Sequence, residues 1–123
     1  MNIQKVLLVD DDPNIRKLAK MSLERVGRWQ VAVAASGREA LEFCRAEPPD
    51  LIVLDVMMPG LDGVMTLEQL KSDPSCSAVP VILMTAKVQT PQMDEYLGLG
   101  AAGLIIKPFD PLKLPEEILK LLK

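Results

Sequence analysis

Histidine is absent from the 123 residues. That excludes a Ser/His/Asp triad, the usual zinc ligand sets and any phosphohistidine carried by the chain itself. Cysteine is scarce: Cys44 and Cys76 stand in unrelated contexts with no CxxC spacing, which points to two free thiols rather than a metal or redox pair. Only four aromatics are present, Trp29, Phe43, Tyr96 and Phe109, none placed to stack a ring, and there is no Gly-rich phosphate loop or GxxxxGKS/T pattern. A flavin or nucleotide binder is therefore disfavoured. Positive charge is not in excess either. With a net charge of −3 and a pI of about 4.9, no basic field invites nucleic acid or anionic lipid. No apolar run approaches the roughly 20 residues that span a bilayer, and MNIQKVLLVD lacks the small-residue cleavage site of a signal peptide, so a cytoplasmic location is expected.

What is present has the size and balance of one compact domain, residues 1–123: 13.5 kDa, 49% hydrophobic and 25% charged. Short aliphatic runs alternate with helix-periodic stretches. Numbered in chain order, the strand candidates are KVLLV at 5–9 (β1), QVAVA at 30–34 (β2), LIVLD at 51–55 (β3), VPVILMT at 79–85 (β4) and GLIIK at 103–107 (β5). Their uninterrupted Val, Ile and Leu content is that of parallel strands covered on both faces. Between them lie helix candidates. Segment 13–26 (α1) has Ile15, Leu18, Ala19, Ser22, Leu23 and Val26 at three- and four-residue steps and Gly27 as its C-cap. Segment 36–47 (α2) opens on a Ser N-cap and stops before Pro48-Pro49, 64–71 forms α3, and α4 opens at Thr90-Pro91 with threonine as N-cap. The last helix, α5, follows Asp110-Pro111, but Pro115 in its second turn would forfeit a backbone bond and moves the main helix start to about Leu114.

Five βα repeats with right-handed crossovers predict a doubly wound α/β fold: a five-stranded parallel sheet in the flavodoxin-like order 2-1-3-4-5, with helices on both faces. Such sheets bind ligands at the carboxyl ends of their strands. At those ends stand Asp10, Asp11 and Asp12 after β1, Asp55 on β3, Thr85 on β4 and Lys107 on β5. Singly, each has a bland explanation, since aspartates cap helices, threonine favours strands and a terminal lysine is solvated. Together they converge on one edge.

Bringing Asp10, Asp11 and Asp55 together is costly. Two carboxylates about 4 Å apart repel by roughly 4 kcal/mol at an effective dielectric near 20. A divalent, oxygen-seeking cation offsets this best, and a few carboxylates, a carbonyl and open water positions suit Mg²⁺. Lys107 adds an ammonium and Thr85 a hydroxyl donor, which completes a phosphate pocket. Asp55, held rigidly at the end of LIVL, is the candidate nucleophile for an aspartyl-phosphate. Asp12 differs: it directly precedes Pro13 and reads as the N-cap of α1.

The stretches VDDDP at 9–13, DVMMPGLDG at 55–63, MTA at 84–86 and KPF at 107–109, in this order and spacing, resemble the receiver domain of two-component response regulators over essentially the whole chain, in its stand-alone, chemotaxis-regulator-like form. The resemblance implies a phosphoacceptor receiver that takes a phosphoryl group from a phosphohistidine onto Asp55 in a Mg²⁺-dependent reaction. It implies no enzyme acting on free substrates. Asp10 and Asp11 match the acidic pair that holds the metal, Met57 contributes its backbone carbonyl, Thr85 is the switch hydroxyl, Ala86 its small neighbour, and Lys107 the phosphate-binding lysine. A cis Lys107-Pro108 bond is expected with it. The position three before the lysine, often aromatic in the family, is Leu104, so switching here runs through a different packing change. The apolar Met57 and the long Lys87 imply slow self-dephosphorylation. The partners implied are a sensor histidine kinase or histidine phosphotransfer protein and a downstream protein on the α4–β5–α5 face. Two other readings are an aspartate-nucleophile phosphatase, whose second acid would stand where Met57 does, and a degenerate receiver serving only as an interaction module, for which the Asp10, Asp11, Asp55, Thr85 and Lys107 set would be dispensable.

Overall fold

The computed structural model describes residues 3–56, 63–86 and 90–122, of 90–92 the backbone only. The alternation predicted from the apolar runs is present as β1 (Lys5–Val9), α1 (Pro13–Arg25), β2 (Gln30–Ala34), α2 (Gly37–Ala46), β3 (Leu51–Asp55), α3 (Gly63–Ser72), β4 (Val81–Thr85), α4 (Thr90–Gly98), β5 (Gly103–Ile106) and α5 (Leu114–Leu121). All strand pairs are parallel, and the sheet order is β2-β1-β3-β4-β5. This is the doubly wound, flavodoxin-like order. No described helix is long and apolar enough to cross a membrane.

The strands are aliphatic throughout because both faces of the sheet are covered. Alternate residues serve the two sides. Leu7, Ile52, Leu54 and Leu83 pack with Leu41, Leu67 and Leu70 of α2 and α3. Val6, Leu8, Val53 and Met84 pack with Ala19 and Leu23 of α1 and Leu114 and Ile118 of α5. Every residue of β3 and β4 is buried, whereas the edge strands β2 and β5 are partly exposed.

Three local readings shift. Helix α1 buries Ala19, Ser22 and Leu23, but Leu18 and Val26, counted with its apolar stripe, are exposed. Its C-cap is Val26 rather than Gly27. Gly27 is needed for space, since a Cβ there would lie 2.7 Å from the Leu23 carbonyl oxygen and 3.0 Å from the Trp29 ring, while the left-handed turn falls on Arg28 (φ 61°). Strand β4 starts at Val81, after the proline that cannot donate to a ladder; the Pro80 carbonyl still accepts from Ile52 N–H at 3.0 Å. Two other expectations hold: helix α5 begins at Leu114, with Pro115 in its first turn where its missing N–H is not needed, and the Lys107-Pro108 bond is cis.

Candidate functional site: an acidic pocket at the carboxyl edge of the sheet

Strand register sets the level of the site. Val9 pairs with Leu54 across β1 and β3, so Asp10 and Asp55 leave neighbouring strands side by side. Both are buried, with Asp10 fully inaccessible and Asp55 3% exposed. Asp11 is exposed. One carboxylate oxygen from each of Asp10, Asp11 and Asp55 lies within 4.8 Å of the other two. The sequence-predicted acids are thus brought together.

Lys107 joins them. Its N–H donates to the Thr85 carbonyl at 2.7 Å, which fixes the residue just past β5 against the end of β4. Its Nζ then lies 3.1 Å from Asp10 Oδ2 and 3.1 Å from Asp55 Oδ1. Burial by itself would lower the lysine's pKa, but the hydrogen bonds and charges of Asp10 and Asp55 outweigh it and raise the value above 10.5. The ammonium is therefore a fixed positive charge. Thr85 is 3% exposed at the end of β4, Ala86 beside it is exposed, and Leu104 packs against the core cluster that also receives Tyr96 and Leu99.

The three consecutive aspartates divide as the spacing suggested. Asp10 Oδ1 accepts from Asp12 N–H at 2.9 Å, closing the loop after β1. Asp12 Oδ1 accepts from Asn14 N–H at 2.9 Å and Ile15 N–H at 3.4 Å, capping α1. Asp12 faces the helix and is not among the three carboxylates that meet.

Two contributors escape sequence reasoning. Arg16 Nη1 donates to the Asp10 carbonyl at 2.7 Å, so α1 holds the loop that carries Asp10 and Asp11. Gly63, the first residue of α3, approaches so closely that a Cβ would lie 2.4 Å from the Asp55 carbonyl oxygen, and its N–H donates to Val56 O at 3.0 Å. The sequence signal for the latter was its place at the end of the DVMMPGLDG stretch. Met57 and Lys87 lie outside the described residues.

Three carboxylates against one ammonium leave net negative charge on a set of hard oxygen donors, with exposed Asp11 open to water. The donor set fits a small hard divalent cation that keeps part of its hydration shell.

The comparisons agree with this geometry. Residues 6–119 match the model of the response regulator receiver domain. The chain belongs to the response regulator receiver family. This receiver is 39% identical over 123 residues to a probable transcriptional regulator, ycf27, of Cyanophora paradoxa, covering 100% of the chain and 50% of that protein. It is also 39% identical over 122 residues to the alkaline phosphatase synthesis transcriptional regulatory protein PhoP of Bacillus subtilis, covering 98% and 49%. The receiver thus spans about half the length of the curated relatives it matches. Among solved structures, chemotaxis protein CheY4 of Vibrio cholerae aligns with a TM-score of 0.90 at 30% identity, covering 98% of this chain and 100% of that one. The N-terminal domain of a response regulator receiver protein from Methanoculleus marisnigri gives 0.80 at 40% identity, covering 98% of each. As a receiver, this domain is a phosphoacceptor signalling module of a two-component system, and its family implies a histidine kinase as partner.

Proposed function

We propose that residues 1–123 act as a single receiver domain in which Asp55 is the phosphoacceptor. The observation that carries this reading is the meeting of three carboxylates within 4.8 Å, two of them bridged by Lys107. A carboxylate oxygen of Asp55 attacks the phosphorus of a phosphohistidine on the partner, the P–N bond breaks, and the imidazole leaves with a proton from solvent. No base on the receiver is required, because a carboxylate is already ionised at neutral pH. Asp10, Asp11 and Asp55 are the residues that would hold Mg²⁺, with the Met57 carbonyl as a further donor. An ion held there would supply positive charge to the transferring phosphoryl group.

Lys107 exchanges its place between Asp10 and Asp55 for the incoming phosphoryl oxygens. The Thr85 hydroxyl moves to the same group, with Ala86 leaving it room. Because Leu104 packs against the same core cluster as Tyr96 of α4 and Leu99 just after that helix, the displacement passes to the α4–β5–α5 face, where a downstream protein reads it. The apolar Met57, two residues after the acceptor in the sequence, and the long Lys87, two after Thr85, slow loss of the phosphoryl group. The setting is the cytoplasm, with a sensor histidine kinase or histidine phosphotransfer protein as donor. Incubation with phosphorylated candidate kinases and Mg²⁺ tests this: rapid labelling that Asp55→Ala abolishes is expected, and labelling that survives Asp55→Ala overturns the assignment.

A further inference from the structure

The α1–α5 side of the molecule has surface properties that phosphoryl transfer does not use. Leu112 is 76% exposed at the turn before α5, and Val26 and Leu119 are 46% and 44% exposed. With Trp29, Pro115 and Leu122 they line a groove of about 830 Å³ that reaches Ile3 and Trp29 at the amino end of the strands, the opposite end of the sheet from Asp55. The tip is held firmly. The Ser22 hydroxyl donates to the Pro111 carbonyl, and Leu112 N–H donates to Asp110 Oδ1 at 2.9 Å, so the exposed leucine is presented by a fixed turn. Leu18 and Met21, 42% and 40% exposed, extend the apolar surface along α1.

Charge is segregated onto the same side. Residues 13–29 and 112–122 hold seven of the fourteen lysines and arginines but only three of the seventeen acids, so this side is basic on a chain whose net charge is −3. Two of those acids are engaged in helix pairs, Glu24 with Lys20 and Glu116 with Lys120. Lys17, Arg25, Arg28 and Lys113 form no ion pair among the described residues, and the last three adjoin the groove-lining Val26, Trp29 and Leu112.

We propose that this groove docks an acidic amphipathic helix of a partner protein, with bulky apolar residues at i, i+3 and i+4 seated between α1 and α5 and Asp or Glu on its flanks meeting the basic rim. Charge complementarity selects this occupant. A second copy would bring the same basic face and repel. An anionic bilayer offers a flat surface to a concave groove and repels the chain's net negative charge, and nucleic acid has no use for an aliphatic floor.

Trp29 is the chain's only tryptophan, so occupancy can be read from its emission. The test titrates the full chain with a synthetic helical peptide carrying Leu at i, i+3 and i+4 and Glu elsewhere, and with the same peptide carrying Lys for Glu. Expected are a saturable change in Trp29 emission with the Glu peptide only, affinity that falls with salt, and losses of about tenfold in Leu112→Glu and severalfold in Arg25→Glu. Both side chains are exposed, so folding should be retained; labelling of Asp55 should be unchanged in both variants. Binding of neither peptide, equal binding of both, or full binding by Leu112→Glu would overturn the inference. So would tighter binding to phosphatidylserine vesicles than to the Glu peptide, or a sedimentation-detected dimer that Leu112→Glu dissolves.

Discussion

Strand β3 is bracketed by two aspartates, and they behave as two different residues. Asp50, at its amino end, accepts from Gln4 and Lys5 N–H groups at 2.9 Å each, and these bonds, Lys5 first, hold its pKa below the ordinary 3.8. Nearby, Glu47 is paired with Lys5 at the surface. Each acid at that edge has its own donor. At the carboxyl end Asp55 shares one ammonium with Asp10, and Asp11 adds a third carboxylate. Each carboxylate is matched with hydrogen-bond donors of its own at one end of the sheet, and negative charge is left in excess at the other. The excess, rather than the aspartate itself, marks the reactive edge.

The largest effect should separate these two ends outright. Asp55→Asn should reduce phosphoryl labelling by a phosphorylated histidine kinase to background, whereas Asp50→Asn should leave it intact; labelled protein after gel electrophoresis measures both. Next comes the division within the acidic run. Asp11→Asn should weaken Mg²⁺ binding by tenfold or more, roughly 1.4 kcal/mol, and slow labelling with it. Asp12→Asn should change neither, since asparagine also caps helices well. Equal losses in both variants, by calorimetric Mg²⁺ titration, would refute the division.

Removing the shared cation should expose the charge excess directly. Lys107→Met removes the ammonium that two buried carboxylates share and should cost on the order of 3 kcal/mol in chelator-containing buffer, by denaturant unfolding, with added Mg²⁺ narrowing the gap. Because the Lys107 pKa is raised, the stability it contributes is fully present below 10.5 and is lost as pH rises through its folded value. The gap between wild type and Lys107→Met should therefore hold through neutral pH and close above that point. The smallest effect belongs to Asp50. Its pKa is lowered, so its contribution is present above about pH 4 and disappears as pH falls through its folded value. Asp50→Asn should be less stable than wild type near pH 7, and the two should converge below pH 4 in acid titrations monitored by circular dichroism.

Much of the fold was legible because each strand is an unbroken aliphatic run and parallel βα units admit few arrangements. Pro13 and Pro115 marked helix starts well, since proline limits where a helix can begin. The acids of the pocket were legible because strand ends are where this fold gathers them. Arg16 on the Asp10 carbonyl and Ser22 on the Pro111 carbonyl were not, because a side chain bonding a distant backbone oxygen leaves no periodic trace. Leu18 and Val26 misled for a related reason. Helical spacing shows that a residue is apolar on a given stripe, but not whether the core or another surface receives it, and the structure leaves both exposed.

The pocket also has a consequence for how the chain can be rearranged. Asp10, Asp55, Thr85 and Lys107 stand at the ends of β1, β3, β4 and β5, which are consecutive neighbours across the sheet. The pocket is therefore a row read across strands, and its spacing is the interstrand distance of about 4.8 Å rather than any loop length. Cutting the chain in a helical connection and rejoining the old termini should preserve that row, whereas deleting a single residue inside β3 would turn Asp55 to the other face of the sheet. Circular permutants opened between β4 and β5 should keep the pocket, with the order in which its residues occur along the chain changed and their order across the sheet the same.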